Sequence, residues 1–417
     1  MKHRLVSNTI YLTFIQVANY VAPLIMLVHL ASVLGPETYG ILAFGQAIIV
    51  MSSMLIDFGY NLSATDKISR YRRHSKYVSM IIGGIYVFKL LLFLCCAVVV
   101  CLFAYFSQAY EDHKIFLLLT LLPVFFQSFF PIWFFQGLER MQFLALFSVI
   151  IRVVYVCLVV FFVKVPEDYN LVPIFNAFSQ SVGIFLSIWM IYRLGYKIVM
   201  PNKKILLHCI RFSQHFFLSR VAVMVYMNSS VLVLGLVASP VVVATFSIAE
   251  QLYKAMQSAI SPLSAAVYPF MSKEKDIKLM IKLIYGCVLL VSVGAIIGYF
   301  VSPGLIGFFF DESWKSSISI LNVFFVAVVI HAAAVMAGYP LAASVGRLDV
   351  ANSSVITGAL IYCLGVAGLL LIDAITPIML ACLMIVSEVG VLIHRAWILL
   401  PLAKIKSQVA FNSNKGL

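Results

Sequence analysis

Between Ser247 and Ser261 a set of polar side chains recurs at intervals of three and four residues: Ser247, Glu250, Gln251, Lys254, Gln257, Ser258 and Ser261. That spacing puts them on one face of a helix. Leu252, Ala255, Met256 and Ile260 fall on the opposite face. Glu250 and Lys254, four apart, can form an ion pair within the helix. A carboxylate that can take a proton beside an ammonium that can hold an anion suits binding and charge exchange rather than bond making. A pair that merely neutralises itself is the bland alternative. The extension of the stripe beyond the pair favours an aqueous cavity lined by this helix.

Other charged and amide groups interrupt equally apolar surroundings. Lys89, Arg152 and Arg220 each sit inside a long hydrophobic run, as do Glu388 and, near a run's end, Asp57. A charge at the centre of a bilayer costs about 2.5–3.5 kcal/mol or more, so such groups should face water or one another. Arg220 and Arg152 are close enough to the end of their runs to snorkel; each is equally a candidate anion ligand, with Asn228 beside Arg220 in the same run. Lys89 has no partner in its own run, and the sequence leaves open whether it faces a cavity or pairs with another helix. Glu388 is equally open. Asn19 and Gln16 add amides to the first run, and Pro23 can kink it. Trp133-Phe134-Phe135 could stack on sugar rings, but aromatics near the end of a spanning run are more often interface anchors.

Signs of enzymatic chemistry are missing. His74, His208, His215, His331 and His394 show no metal spacing, and no Walker motif, DxD run or glycine-rich phosphate loop occurs. The reading is of a binding protein without catalytic residue, metal or cofactor.

These side chains need a particular kind of scaffold. The 417 residues are 63% hydrophobic and 11% charged, with mean hydropathy +1.05; soluble chains carry about 25% charged residues. The apolar runs are long and do not alternate, so helices rather than barrel strands are expected to cross a bilayer. Twelve spans are predicted, at roughly 9–33, 40–59, 78–106, 115–137, 143–163, 171–192, 213–236, 241–268, 279–301, 317–338, 351–372 and 376–399. With the N terminus in the cytoplasm, only Lys114, Lys164 and Lys315 fall in outer loops. Lys89, Arg152, Arg220 and Lys254 lie within spans, and the rest of the 29 Lys and Arg lie inside. This positive-inside bias puts both termini in the cytoplasm of a multi-pass inner-membrane protein. It also accounts for the net charge of +13 through membrane lipids rather than nucleic acid. The eight cysteines lie in or beside apolar segments and read as small hydrophobes. No extramembrane segment is long enough for a soluble catalytic domain.

A weak repeat divides the chain. Leu34-Gly-Pro-Glu-Thr-Tyr-Gly matches in position Ala238-Ser-Pro-Val-Val-Val-Ala, aligning Pro36 with Pro240. Gln136-Gly-Leu-Glu-Arg echoes Val345-Gly-Arg-Leu-Asp, aligning Gly137 with Gly346. Two six-helix lobes of one orientation follow, 1–200 and 201–417, with substrate handled between them.

Several segments carry a resemblance. Leu34-Gly-Pro-Glu-Thr-Tyr-Gly-Ile-Leu-Ala-Phe, Asp57-Phe-Gly-Tyr-Asn-Leu-Ser-Ala-Thr, Trp133-Phe-Phe-Gln-Gly-Leu-Glu-Arg-Met, Ser247-Ile-Ala-Glu-Gln-Leu-Tyr-Lys-Ala and Pro262-Leu-Ser-Ala-Ala-Val-Tyr-Pro-Phe-Met-Ser-Lys resemble blocks of the Wzx-type flippases of bacterial O-antigen and related polysaccharides. The resemblance covers nearly the whole chain. It implies the fold of the multidrug/oligosaccharidyl-lipid/polysaccharide exporter superfamily: an all-α membrane protein with two six-helix lobes around a central cavity. It implies an oligosaccharide repeat unit on undecaprenyl pyrophosphate as cargo, moved to the periplasmic leaflet with drive from an ion gradient. A polysaccharide polymerase and a chain-length regulator would be its protein partners.

On that footing Arg220 and Lys254, with Arg152 and Lys89, are expected to hold the pyrophosphate. Asn19, Asn228, Gln251 and Gln257 would meet the sugars, and Glu250, or less directly Asp57, would couple transport to an ion. A drug or cation antiporter of the same superfamily would want acids to outnumber cations within the spans, the reverse of what is seen. A polysaccharide polymerase or glycosyltransferase would need a larger outer loop than any present.

Overall fold

The computed structural model describes residues 2–310 and 312–413, with side chains described except at 2–21, 215, 218, 219, 223 and 404–413. Its elements are α1 (Lys2–Asp57), α2 (Tyr60–Tyr71), α3 (Ser75–Phe106), α4 (Lys114–Leu119), α5 (Leu121–Phe129), α6 (Ile132–Gly137), α7 (Met141–Phe162), α8 (Leu171–Arg193), α9 (Lys203–Val237), α10 (Pro240–Glu274), α11 (Ile277–Phe309), α12 (Ser316–Ala337), α13 (Tyr339–Val345), α14 (Leu348–Leu371) and α15 (Pro377–Ser413), with short 3-10 turns between some of them. No strand occurs among the described residues.

Helix α1 is two spans in one. Its backbone leaves helical geometry at Gly35, with φ 69° and ψ 172°, and Pro36 opens the second segment, where a missing N–H costs nothing. Pro240 opens α10 in the same way, so the first sequence echo has a structural counterpart. The kink predicted at Pro23 does not take this form; Gly35 is the residue that departs from helical geometry in α1. With α1 divided, with α2 continuing its second part, and with α4–α6 and α12–α13 each forming one broken span, the described residues run through twelve helical segments. Ten stretches among the described residues are long and apolar enough to cross a membrane. The first segment enters this set only from Ala22, merged with the second, and α10 falls outside it because of its polar stripe.

Apolar side chains cover the outside. In α3 and α11 only 17% of the most apolar window is buried. Val99, Phe106, Leu290, Phe300 and Leu371 are among the exposed hydrophobics. Such a surface is compatible with lipid and not with water.

Two compact units divide the chain, Met1–Met224 and Val225–Leu417, with the boundary inside α9. In the first, Trp133, Phe134 and Phe135 are fully buried and pack with Tyr60, Ile81 and Phe147. They are core residues, which corrects both the anchor and the sugar-stacking expectations for this triplet. In the second, Tyr253 stacks on Phe324 with ring centroids 4.7 Å apart.

Each unit has a broken span served by a buried cation. In the first, Pro131 ends α5: the preceding Phe130 is extended, at φ −66° and ψ 120°. Ile132 N donates to Phe130 O, not to Ser128 O, so the Ser128 carbonyl would be orphaned. Lys89 from α3 supplies the missing donor, Nζ to O at 2.9 Å. In the second unit α12 ends at Gly338, whose N–H donates to Val335 O. Arg395 from α15 donates to the Ala334 carbonyl, to Ser354 Oγ at 2.8 Å and to Ala351 O at 3.3 Å. The turns that follow also correspond. Glu139 (φ 59°) and Gly346 (φ 81°) are both left-handed, and Arg140 N→Phe135 O and Arg347 N→Ala342 O close them. The backbone thus pairs Glu139 with Gly346, a register two residues away from the sequence echo.

Candidate functional site

Among the described residues, each unit has a pocket between its spanning helices. The pocket of the first unit, about 200 Å³, is lined by Asp57, Asn61, Lys89, Gln127 and Arg220 among others. Asp57 owes its position to a sharp reversal between α1 and α2. Phe58 and Gly59 are both left-handed, at φ 49° and 80°. Ser213 Oγ donates to Phe58 O at 2.6 Å, and the Phe58 ring stacks on Phe217 at 4.4 Å. A Cβ on Gly59 would lie 3.0 Å from Phe216 Cβ, so glycine is required there on two counts.

Lys89, 1% exposed, bonds Asp57 Oδ1 at 3.1 Å and sits 6.0 Å over the Tyr60 ring. The alternatives that the sequence left open are both realised: Lys89 pairs with another helix and lines a cavity. Arg220 lines the same pocket. Two cations face one carboxylate. Ser53 Oγ and Asn61 Oδ1, both at this pocket, are buried with no hydrogen-bond partner. The arrangement can bind an anion that also satisfies neutral polar groups.

The pocket of the second unit is larger, about 360 Å³, and is lined by residues of α9, α10, α12 and α15. Its walls include Tyr226, Asn228, Tyr253, Lys254, Gln257, Ser258, Ser261, His331 and Glu388. The polar stripe of α10 is therefore split. Lys254, Gln257, Ser258 and Ser261 reach the pocket, whereas Ser247 and Glu250 are buried, 4% and 3% exposed. The predicted pair exists: Lys254 Nζ lies 2.7 Å from Glu250 Oε2. Glu250 Oε1 has no partner. Gln251 Nε2 donates to Ser247 Oγ at 3.4 Å and does not reach the pocket.

Sequence reasoning passed over a second pair. His331 Nδ1 and Glu388 Oε1 are 2.9 Å apart, both nearly buried, and both line this pocket. Its spacing gives His331 no metal partner and no neighbour of its own helix to pair with. Fifty-seven residues separate it from Glu388, so no spacing rule could have joined them.

The candidate residues are thus distributed. Arg220, Lys89 and Asp57 share the first pocket; Lys254, Asn228 and Gln257 share the second. Arg220 and Lys254, expected together on one phosphate group, line different pockets. Arg152 is half-buried on α7 and lines neither. The side chain of Asn19 lies outside the described residues. Among the described residues no cluster of three or more His, Cys, Asp or Glu could hold a metal ion.

Residues 5–275 match the family described as polysaccharide biosynthesis protein. The chain belongs to that family. Two relatives, from Escherichia coli (strain K12) and Shigella dysenteriae, are each named "Putative O-antigen transporter". The first is 27% identical over 269 residues, 64% of this chain and 64% of its own. The second is 30% identical over 277 residues, 64% of this chain and 67% of its own. The match thus spans about two thirds of either relative. Among solved structures, the fold of this polysaccharide biosynthesis family protein is similar to that of the lipid II flippase MurJ in an inward closed conformation. The TM-score is 0.70 at 13% identity, over 94% of this chain and 87% of that one. It is also similar to an inward-facing multidrug resistance MATE family transporter of the MOP superfamily, with TM-score 0.66 at 15% identity, over 94% of this chain and 96% of that one. At such identities the likeness is one of fold. The protein is an all-α, multi-pass membrane protein of this architecture.

Proposed function

We propose that this protein is a flippase that carries an oligosaccharide unit on undecaprenyl pyrophosphate from the cytoplasmic to the periplasmic leaflet of a bacterial inner membrane, with both termini in the cytoplasm. The observation that carries this reading is the pocket of the first unit, where Lys89 and Arg220 outnumber Asp57. A pyrophosphate cannot cross hydrocarbon unaided, since the idealised desolvation of one ion costs of order 20 kcal/mol. Fixed cations and unpartnered polar atoms within the spans replace that lost hydration. An organic cation would be disfavoured by the same surplus. The names of the two relatives and the fold shared with a lipid II flippase support the cargo class.

Asp57 is the acid best placed to couple the cycle to an ion. Its neutralisation would release Lys89 toward an anionic ligand and its ionisation would reclaim it. Glu250 can do the same for Lys254, but it is buried behind that lysine. A polysaccharide polymerase and a chain-length regulator would act on the delivered units.

The test is a deletion strain complemented with parent or Arg220→Gln, scored for the leaflet in which lipid-linked units accumulate. The parent should restore outer-leaflet units. Arg220→Gln, inserted at normal level, should leave them inside. Units that reach the outer leaflet in the deletion strain would defeat the proposal.

A further inference from the structure

The pocket of the second unit has a different chemistry from the first, and it constrains what part of a cargo it could hold. Its charges are compensated internally. Lys254 is held by Glu250 at 2.7 Å. Glu388 is held by His331 at 2.9 Å, and Arg395, further along α15, lies within electrostatic reach of Glu388. No surplus cation is left for an anion. The other polar groups lining the pocket are neutral: the amides of Asn228 and of Gln257, which also bonds the Tyr253 hydroxyl, and the hydroxyls of Ser258 and Ser261. The pocket's walls are fixed, since Tyr253 is 1% exposed and stacked on Phe324.

One group stands out. Glu388 is 3% exposed, and His331 occupies only its Oε1. The other carboxylate oxygen is left to face the pocket that Glu388 lines, where a donor from a ligand can meet it. A ligand hydroxyl supplies one, and a hydroxyl to an ionised carboxylate is among the strong hydrogen bonds. His331 fixes the orientation of the carboxylate. The volume of about 360 Å³ lies within the range of small-molecule sites, roughly 300–1,000 Å³.

We infer that this pocket is a recognition site for an uncharged sugar ring, with Glu388 accepting from a ring hydroxyl and Gln257, Asn228, Ser258 and Ser261 completing the polar wall. The inference rests on the flippase reading and deepens it. The pocket accepts neutral glycosyl units and rejects acidic ones, which would meet the Glu388 carboxylate without a free cation.

The test uses the full-length protein in lipid nanodiscs and saturation-transfer NMR. The probes are millimolar neutral methyl glycosides (gluco, galacto, manno and N-acetylglucosamine forms), with methyl glucuronide as the acidic probe. At least one neutral glycoside should receive saturation and methyl glucuronide should not. Glu388→Gln, which keeps shape but loses the charge-assisted bond, should weaken that glycoside about tenfold. Gln257→Met should weaken it as well, which guards against a local disturbance at Glu388. Lys273→Gln, at the exposed C-terminal end of α10, should bind it as the parent does, and a loss there equal to that of Glu388→Gln would count against the assignment. Binding of no neutral glycoside, equal binding of the glucuronide, or parental binding by both Glu388→Gln and Gln257→Met would overturn the assignment. So would loss of export in Glu388→Gln with glycoside binding unchanged, which would make the His331–Glu388 pair a proton carrier instead. If glycosides bind as expected but the deletion strain still delivers units to the outer leaflet, the flippase reading fails and the sugar site stands.

Discussion

Replacing Lys89 with methionine should be among the most damaging single changes in the first unit, and a second replacement should partly undo it. Lys89 is 1% exposed and Asp57 19%, so their contact at 3.1 Å is shielded from water. Methionine keeps most of the volume but removes the charge and the donor. Two groups then lose their partner: the Asp57 carboxylate and the Ser128 carbonyl at the break before Pro131. Breaking a buried pair by removing one member costs about 3–5 kcal/mol. An orphaned buried acceptor accounts for about 1–3 kcal/mol of such a loss. Adding Asp57→Asn removes the uncompensated charge but leaves the carbonyl unserved. The double variant should therefore recover about 2 kcal/mol relative to Lys89→Met and remain below the parent. The assay is SDS-induced unfolding of purified protein in mixed micelles, run as a double-mutant cycle. Additive effects within about 0.5 kcal/mol, or a loss below about 1 kcal/mol for Lys89→Met, would refute the account of Lys89 as a shared partner of acid and broken helix.

Two further outcomes follow from local geometry. Gly59→Ala should lower the midpoint of thermal unfolding. Gly59 is left-handed at φ 80° and ψ 8°, costing an alanine about 1–2 kcal/mol, and a Cβ there also meets Phe216 and Phe217; an unchanged midpoint would contradict this. His208, near the start of α9, bonds the Tyr77 hydroxyl at 3.1 Å. Burial, and then Lys67, hold its imidazole below the ordinary histidine range. Between that lowered value and the unfolded value of about 6.5 the unfolded chain binds more protons, so stability falls as pH drops through this window. His208→Asn should flatten the acid limb of a stability–pH profile; an unchanged slope would contradict the assignment.

Composition and the length of the apolar runs suffice for a helical membrane protein, because a chain this poor in charge has no way to cover itself in water. Helical periodicity alone put Glu250 beside Lys254, since an i,i+4 pair is a local property of the helix. The proline echo at Pro36 and Pro240 was legible for the same reason: proline acts on its own turn. Contacts between helices distant in sequence were not. Lys89 carries no sign in its own neighbourhood that Asp57 and Ser128 will meet it. His331 and Glu388 are likewise joined only by the packing of α12 against α15. Nor could periodicity tell that Ser247 and Glu250 would be buried while Gln257 and Ser261 reach the pocket, because a stripe defines a face and not what covers it. The Trp133–Phe135 triplet shows the same limit, since only packing distinguishes a core aromatic from one at a membrane surface. Sequence fixes the periodicity and charge of each helix through bonded geometry; which buried charge finds which partner is decided by tertiary packing, since a charge kept from water must be met by whatever side chain the neighbouring helix brings.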